Sequence, residues 1–244
     1  MTTVAVLCDP PQPGAVLPEL VEGTPVSPED AADLYTALLC DTVEAVDGSG
    51  GELLVNYRPA EAVGVDGDAE AIIREAIADV VDTDDARFEV QVGETFAGRV
   101  GNTATHLLET EELSSVGIIR PEVATFARTD IDSAAMKLRS CDVVIGPSTG
   151  GRVHYAAFGE PIDFTDCYAA PAVETLTNRC LDAGHDVEFL ETKQSVRTPQ
   201  ELADAIVSVR AHDTAGELVP RHFAAWIDGM PYEVVTDDDG LSLV

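Results

Sequence analysis

The stretch TVAVLCDPPQPGAV, residues 3–16, sets a continuous apolar run against a loop of three prolines and a glycine, Pro10, Pro11, Pro13 and Gly14. An apolar run of this length, with no polar alternation and a turn-forming cluster behind it, is a strand buried on both faces. Ligand-holding loops follow such strands. A loop that grips phosphate is expected to present Lys or Arg beside its glycine, and this one presents Asp9, Leu17 and Glu19.

The same pattern recurs in ELLVNY (52–57), FEVQV (88–92), SVGII (115–119), DVVIG (142–146) and DVEFL (186–190). Helical stretches lie between the runs, so they predict a mostly parallel sheet covered on both faces, a doubly wound α/β architecture. Ser27-Pro28-Glu29-Asp30 reads as a serine cap with proline at the first helical position. Thr198-Pro199-Gln200-Glu201 reads as a capping box. Further helices are expected over 67–81, 96–109, 130–139 and 171–183. From Pro220 onward FAAWID, MPYEVVT and LSLV, separated by Asp228-Gly229 and Asp237-Asp238-Asp239-Gly240, predict a small β-meander. The expected division is 1–215 for the main domain and 216–244 for the meander packed on it.

The chain has 244 residues, 45 acidic and 14 basic, for a net charge of −31, and its only lysines are Lys137 and Lys193. Such a surface repels nucleic acid and anionic membranes. It suits a high-salt cytoplasm, as in a halophile, where the self-repulsion is screened. The five cysteines form no CxxC pair and no zinc spacing, which favours reduced, buried thiols. No signal-peptide pattern or membrane-length apolar run is present, so a cytoplasmic protein is expected, as a monomer or homodimer.

In open α/β sheets ligands bind beyond the C-terminal ends of the strands. The segments there are DPPQPGAV, QVGETFAGRV, RPEV and GPSTGGRVHY. As an ordered set they resemble a family of small prokaryotic GT-A-like transferases, domain of unknown function 2064, related to nucleotide-diphospho-sugar transferases. Pro11-x-Pro13-Gly14-x-Val16 resembles the family's P-x-P-G-x-V, and Leu34-Tyr35 with Asp41-Thr42 its helix motif. Gln91-x-Gly93 with Gly98-Arg99 resembles Q-x-G-x-x-L-G-x-R. Gly117 with Pro121, Asp142 to Pro147, and Val196-x-Thr198-Pro199 resemble G-S-D-C-P, D-V-V-L-G-P and D-V-D-T-P. The likeness runs from about residue 3 to 210. It implies a GT-A fold and a site for a nucleotide-sugar or related small anion formed by Pro13, Gly14, Gln91, Gly93, Arg99, Arg120, Ser148, Thr149, Gly150, Gly151 and Arg152.

The departures fall on the chemistry. Ile119 and Gly150 stand where the family carries acids, and Ser195 and Arg197 replace the acids of its last motif. Such enzymes use carboxylate-held Mg²⁺ or Mn²⁺ to neutralise a pyrophosphate leaving group. No cofactor is therefore expected, and either metal would require ligands at other positions. Arg99, Arg120, Arg152 and Arg197, four of twelve arginines, fall on these segments. They suit a metal-free anion site, and equally they suit structural ion pairs in a chain rich in acids. His154, read as lying on the loop of Arg152, is a candidate general base or a packed histidine. The implied function is a diverged glycosyl- or nucleotidyl-transferase, with a non-catalytic binding protein or a structural partner as alternatives.

Overall fold

The structure, a computed structural model, describes residues 2–237 and 240–244. Seven strands form one sheet: β1 (Thr2–Cys8), β2 (Glu52–Tyr57), β3 (Arg87–Val90), β4 (Ser115–Ile119), β5 (Val143–Ser148), β6 (Arg152–Phe158) and β7 (Val187–Phe189). Their order is β3-β2-β1-β4-β6-β5-β7. Every pairing is parallel except those of β6, which runs antiparallel to β4 and to β5. The helices are α1 (Pro18–Gly23), α2 (Pro28–Asp47), α3 (Ala60–Val63), α4 (Ala69–Ile77), α5 (Phe96–Thr105), α6 (Arg128–Lys137), α7 (Ala172–Asp182), α8 (Pro199–Thr214) and α9 (Arg221–Gly229). One wider turn, His106–Thr110, prolongs α5.

Successive residues of a strand point to opposite faces. Val4, Val6 and Cys8 of β1 accordingly join Val55, Ile119, Val144 and Tyr155 in a core closed by α2, α4 and α6. Ala5 and Leu7 join Leu54, Ile118, Ile145 and Ala156 in a second core closed by α5 and α7. The 20-residue α2 buries two sides. Leu39, Cys40, Val43 and Val46 meet the sheet, while Leu34, Tyr35 and Leu38 meet α8 and α9 in a third cluster.

The strand β6 is absent from the sequence reading, which treated its residues as loop. It is buried from His154 to Phe158, but Arg152, His154, Ala156 and Ala157 interrupt the Val/Ile/Leu run by which the other buried strands are recognised. The turn Thr149–Gly151 reverses the chain because Gly150 and Gly151 take φ of +70° and +69°, open to glycine without strain. His154 is therefore a buried strand residue and not a loop residue.

The C-terminal expectation also needs correction. FAAWID lies in α9, and only β8 (Val234–Asp237) and β9 (Gly240–Leu243) form an antiparallel hairpin. Asp238 and Asp239 of the expected turn lie outside the described residues. Phe223 and Ile227 are four apart and share one helical face, which is buried in the α2–α8 cluster. The first turn of α9 is satisfied from outside, because the Asp41 carboxylate accepts the backbone N–H groups of His222 at 2.9 Å and Phe223 at 2.8 Å. Among the described residues no helix is long and apolar enough to cross a membrane.

Asp41→Ala removes the acceptor for both N–H groups and is expected to cost about 1–2 kcal/mol. Urea unfolding in molar KCl measures it, and Asp41→Asn, which keeps one acceptor oxygen, should cost less.

Candidate anion-binding cleft

The loop after β1 is held by its apolar residues. Val16 and Leu17 are buried in the α1–α2–α8 cluster, so they anchor the loop while also bordering the smaller cavity at its base. Pro13 and Gly14 stand exposed at its crown. The Asp9 backbone N–H donates to the Tyr35 hydroxyl at 3.0 Å, and the Asp9 carboxylate receives Nε and Nη2 of Arg58, each at 2.5 Å. Arg58 directly follows β2, a strand end left out of the sequence reading. The positive charge missing from the first loop is thus supplied by its neighbour, and the position of Arg58-Pro59 just after ELLVNY was the available signal.

Gln91 serves the backbone. Its side-chain amide donates to the carbonyls of Cys8 at 3.1 Å and Asn56 at 2.8 Å, strapping the ends of β1 and β2 together. Gly93 has φ +133°, and a Cβ there would come within 2.9 Å of the Arg99 backbone nitrogen. It lets the chain pass close to the start of α5, which Thr95 caps by accepting the Gly98 N–H at 3.0 Å.

Arg99 and Arg120 flank one aromatic ring, with guanidinium carbons 5.9 Å and 4.9 Å from the Phe96 centroid. Arg120 is paired with the buried Glu122 at 2.5 Å. Arg99 makes no ion pair among the described residues; its Nη1 reaches the Glu94 carbonyl at 3.3 Å, and its buried Nε has no partner. Burial, with the like charges of Arg58 and Arg120, lowers its pKa, and Asp9 opposes this in part.

At the β5–β6 hairpin, a Cβ on Gly150 would stand 2.9 Å from Nη1 of Arg152, so that guanidinium fills the space a side chain would take. Arg152 and Thr149 both donate to Oε1 of Glu201, while Oε2 accepts the N–H groups of Arg197 and Thr198 at 3.2 Å. Thr149 and Arg152 therefore tie the hairpin to the start of α8. Arg197 lies 3.7 Å from Glu19. Burial alone would raise the Glu201 pKa, but the hydrogen bonds from Thr149 and Arg152 outweigh it and the pKa is lowered.

Two cavities open along these strand ends. One of about 320 Å³ is bordered by Phe96, Tyr168, Ser148, Arg152, His154 and Ser195, and one of about 170 Å³ by Asp9, Tyr35 and Arg58. They share Arg120, Glu122 and Arg197, and so form two parts of one cleft. Of the residues expected at the site, Arg120, Ser148 and Arg152 line it; Pro13, Gly14, Gln91, Gly93, Arg99, Thr149, Gly150 and Gly151 border neither cavity.

No protein-family model matches the chain, and no curated protein does. Solved structures do. A Desulfovibrio desulfuricans G20 protein assigned as a nucleotide-diphospho-sugar transferase superposes with a TM-score of 0.75 at 18% identity, over 93% of this chain and 98% of that one. The fold is that of the nucleotide-diphospho-sugar transferases. The 4-diphosphocytidyl-2C-methyl-D-erythritol synthase of Anaerococcus prevotii DSM 20548 shares this transferase fold more distantly, with a TM-score of 0.51 at 12% identity over 86% of this chain and 96% of that one. At these identities the likeness is one of fold.

One metal-compatible group occurs among the described residues: Asp41, Glu44 and His222 bring their ligand atoms within 4.8 Å of one another. None lines the transferase-fold cleft. Asp41 is already spent on two backbone N–H groups, and Nη2 of Arg221 lies 3.2 Å from Glu44 and 2.9 Å from His222.

Glu201 ties the larger cavity to α8, and with its pKa lowered its contribution is complete above the ordinary glutamate range and is lost as pH falls through the folded-state pKa. Glu201→Gln is expected to cost about 1.5–3 kcal/mol at neutral pH and to flatten the acid limb of stability. Thermal unfolding between pH 7 and pH 3 checks both.

Proposed function

We propose that the cleft binds the phosphate groups of a nucleotide-sugar or related nucleotide through arginine and not through a metal ion, in a diverged glycosyl- or nucleotidyl-transferase adapted to a high-salt cytoplasm. The observation that carries this reading is Arg99. In a chain of net charge −31 it lacks a carboxylate partner among the described residues and is partly buried; it borders neither cavity itself but lies within electrostatic reach of Arg58 and Arg120, which do. Arg139 and Arg210 also lack an acid among the described residues, but both are exposed to solvent, whereas Arg99 is partly buried among like charges. An anion seated between Arg58, Arg99 and Arg120 would relieve the crowding of like charge and complete the hydrogen bonding of Arg99.

The residues present do not fit a resident metal in the cleft. Asp9, Glu19 and Glu122 are committed to Arg58, Arg197 and Arg120, the side chain of Ile119 is packed in the sheet core, Gly150 has none to offer, and Asp166, the one cleft carboxylate without an ion pair among the described residues, is a single exposed ligand. Those commitments favour a second reading, a binding protein that does not turn its ligand over, because Asp9, Glu19, Glu122 and Glu201 are each ion-paired with a cleft arginine. Assay for hydrolysis or transfer of any bound nucleotide-sugar separates the two.

Titration with nucleoside diphosphates and nucleotide-sugars in molar KCl is expected to give an affinity unchanged by EDTA. Arg99→Met should weaken it about 10- to 100-fold, the worth of one charge-assisted hydrogen bond, with little change in melting temperature. Affinity restored only by Mg²⁺ or Mn²⁺, or an Arg99→Met protein that binds normally, would overturn the proposal. Arg152→Ala should instead lower the melting temperature, since Arg152 braces Glu201.

A further inference from the structure

Three polar atoms at the larger cavity have no partner in the protein: Ser148 Oγ, His154 Nε2 and Ser195 Oγ. Their residues are only 6%, 5% and 3% exposed. A buried polar group without a partner costs about 1–3 kcal/mol, and three around one cavity call for something that satisfies them together. They come from separate parts of the fold. Ser148 ends β5, His154 lies in β6, and Ser195 belongs to the segment bridged to Val123.

The chemistry of this floor differs from that of the arginine rim. His154 Nδ1 lies 2.8 Å from the Pro147 carbonyl, which only accepts, so Nδ1 carries the proton and Nε2 presents a lone pair. Burial pushes the imidazole pKa down to about 4, with Pro147 and Asp130 opposing and Lys193 assisting, so the ring is neutral at physiological pH. The floor therefore offers one obligate acceptor and two hydroxyls that donate or accept. An ionised phosphate or carboxylate brings only acceptors and would set lone pair against lone pair at Nε2. A hydroxyl can donate to Nε2 and exchange hydrogen bonds with both serines. Phe96 and Tyr168, packed edge to face at 4.9 Å, give the same cavity an apolar wall.

We propose that Ser148, His154 and Ser195 form a subsite for a neutral, hydroxyl-bearing group, a sugar ring, attached to the phosphate held at the arginine rim, and that this floor selects uncharged sugars over sugar acids. The proposal deepens the anion-binding reading and rests on it. Dissolved water is the competing occupant, since polar cavities of this size hold it.

The test compares inorganic phosphate, glucose 1-phosphate and glucuronic acid 1-phosphate by calorimetry in molar KCl, on the wild-type chain and on the Ser148→Ala/Ser195→Ala double variant. Glucose 1-phosphate is expected to bind about tenfold more tightly than phosphate and glucuronic acid 1-phosphate, and the double variant should lose that advantage while keeping its affinity for phosphate. The unliganded double variant should melt no lower than wild type, because it trades unpartnered hydroxyls for methyl groups. In ¹⁵N spectra, the His154 Nε2 resonance should move with glucose 1-phosphate and not with phosphate. Phosphate binding with no gain from the sugar, or a gain that survives in the double variant, overturns the subsite alone and leaves water as its occupant. Absence of binding by all three probes overturns the arginine site and the subsite together.

Discussion

The Asp9–Arg58 ion pair couples the ends of the neighbouring strands β1 and β2, and the cleft takes its form from it. Asp9 stands where a phosphate loop would carry a cation, yet it brings a cation in from β2 and holds it by both carboxylate oxygens. Gln91 straps the same two strand ends through their carbonyls, so the pair stands on backbone that cannot splay. Tyr35 reaches up from α2 to receive the Asp9 N–H. Charge, backbone strap and helix thus converge on one residue of the first loop.

Around that pair the cleft obeys a simple electrostatic rule. Arg58, Arg120, Arg152 and Arg197 each have a carboxylate, so each costs little to hold in a partly buried place. Molar salt screens the exposed members over about 3 Å, and the buried pairs persist because solvent ions do not enter between them. Arg99, which borders neither cavity, departs from the rule: it lies against the Phe96 ring that Arg120 also contacts, and it feels the like charges of Arg58 and Arg120. The two parts of the cleft differ in kind: one is built of fixed cations and the other of neutral groups without partners in the protein.

Much of the fold was legible because burial writes itself into composition. The near-continuous apolar runs of β1, β2, β4 and β5 and the caps at Ser27 and Thr198 stand in the structure where the sequence places them. The strand β6 was not legible, since Arg152, His154 and two alanines break the continuous Val/Ile/Leu run that marks the other buried strands, and the Ser-Thr-Gly-Gly turn before it is a weak hairpin signal. FAAWID was read as a strand because its aromatic and apolar residues suit either structure. The α9 helix is chosen by its surroundings: Asp41, about 180 residues earlier in the chain, supplies the acceptors its first turn needs. Local propensity cannot register a cap delivered from another helix.

By itself the sequence determined the doubly wound sheet and the placing of arginines near its strand ends, because apolar periodicity and strand-end position are local properties of the chain. Tertiary structure alone decided which of those residues face the cleft. Gln91 and Thr149 turn inward to carbonyls and a carboxylate, while Arg58, His154 and Ser195 are brought to the cavities by pairing and packing across the sheet. A side chain's partners are set by elements distant in sequence, and only their packing shows which polar groups are satisfied and which are left for a ligand.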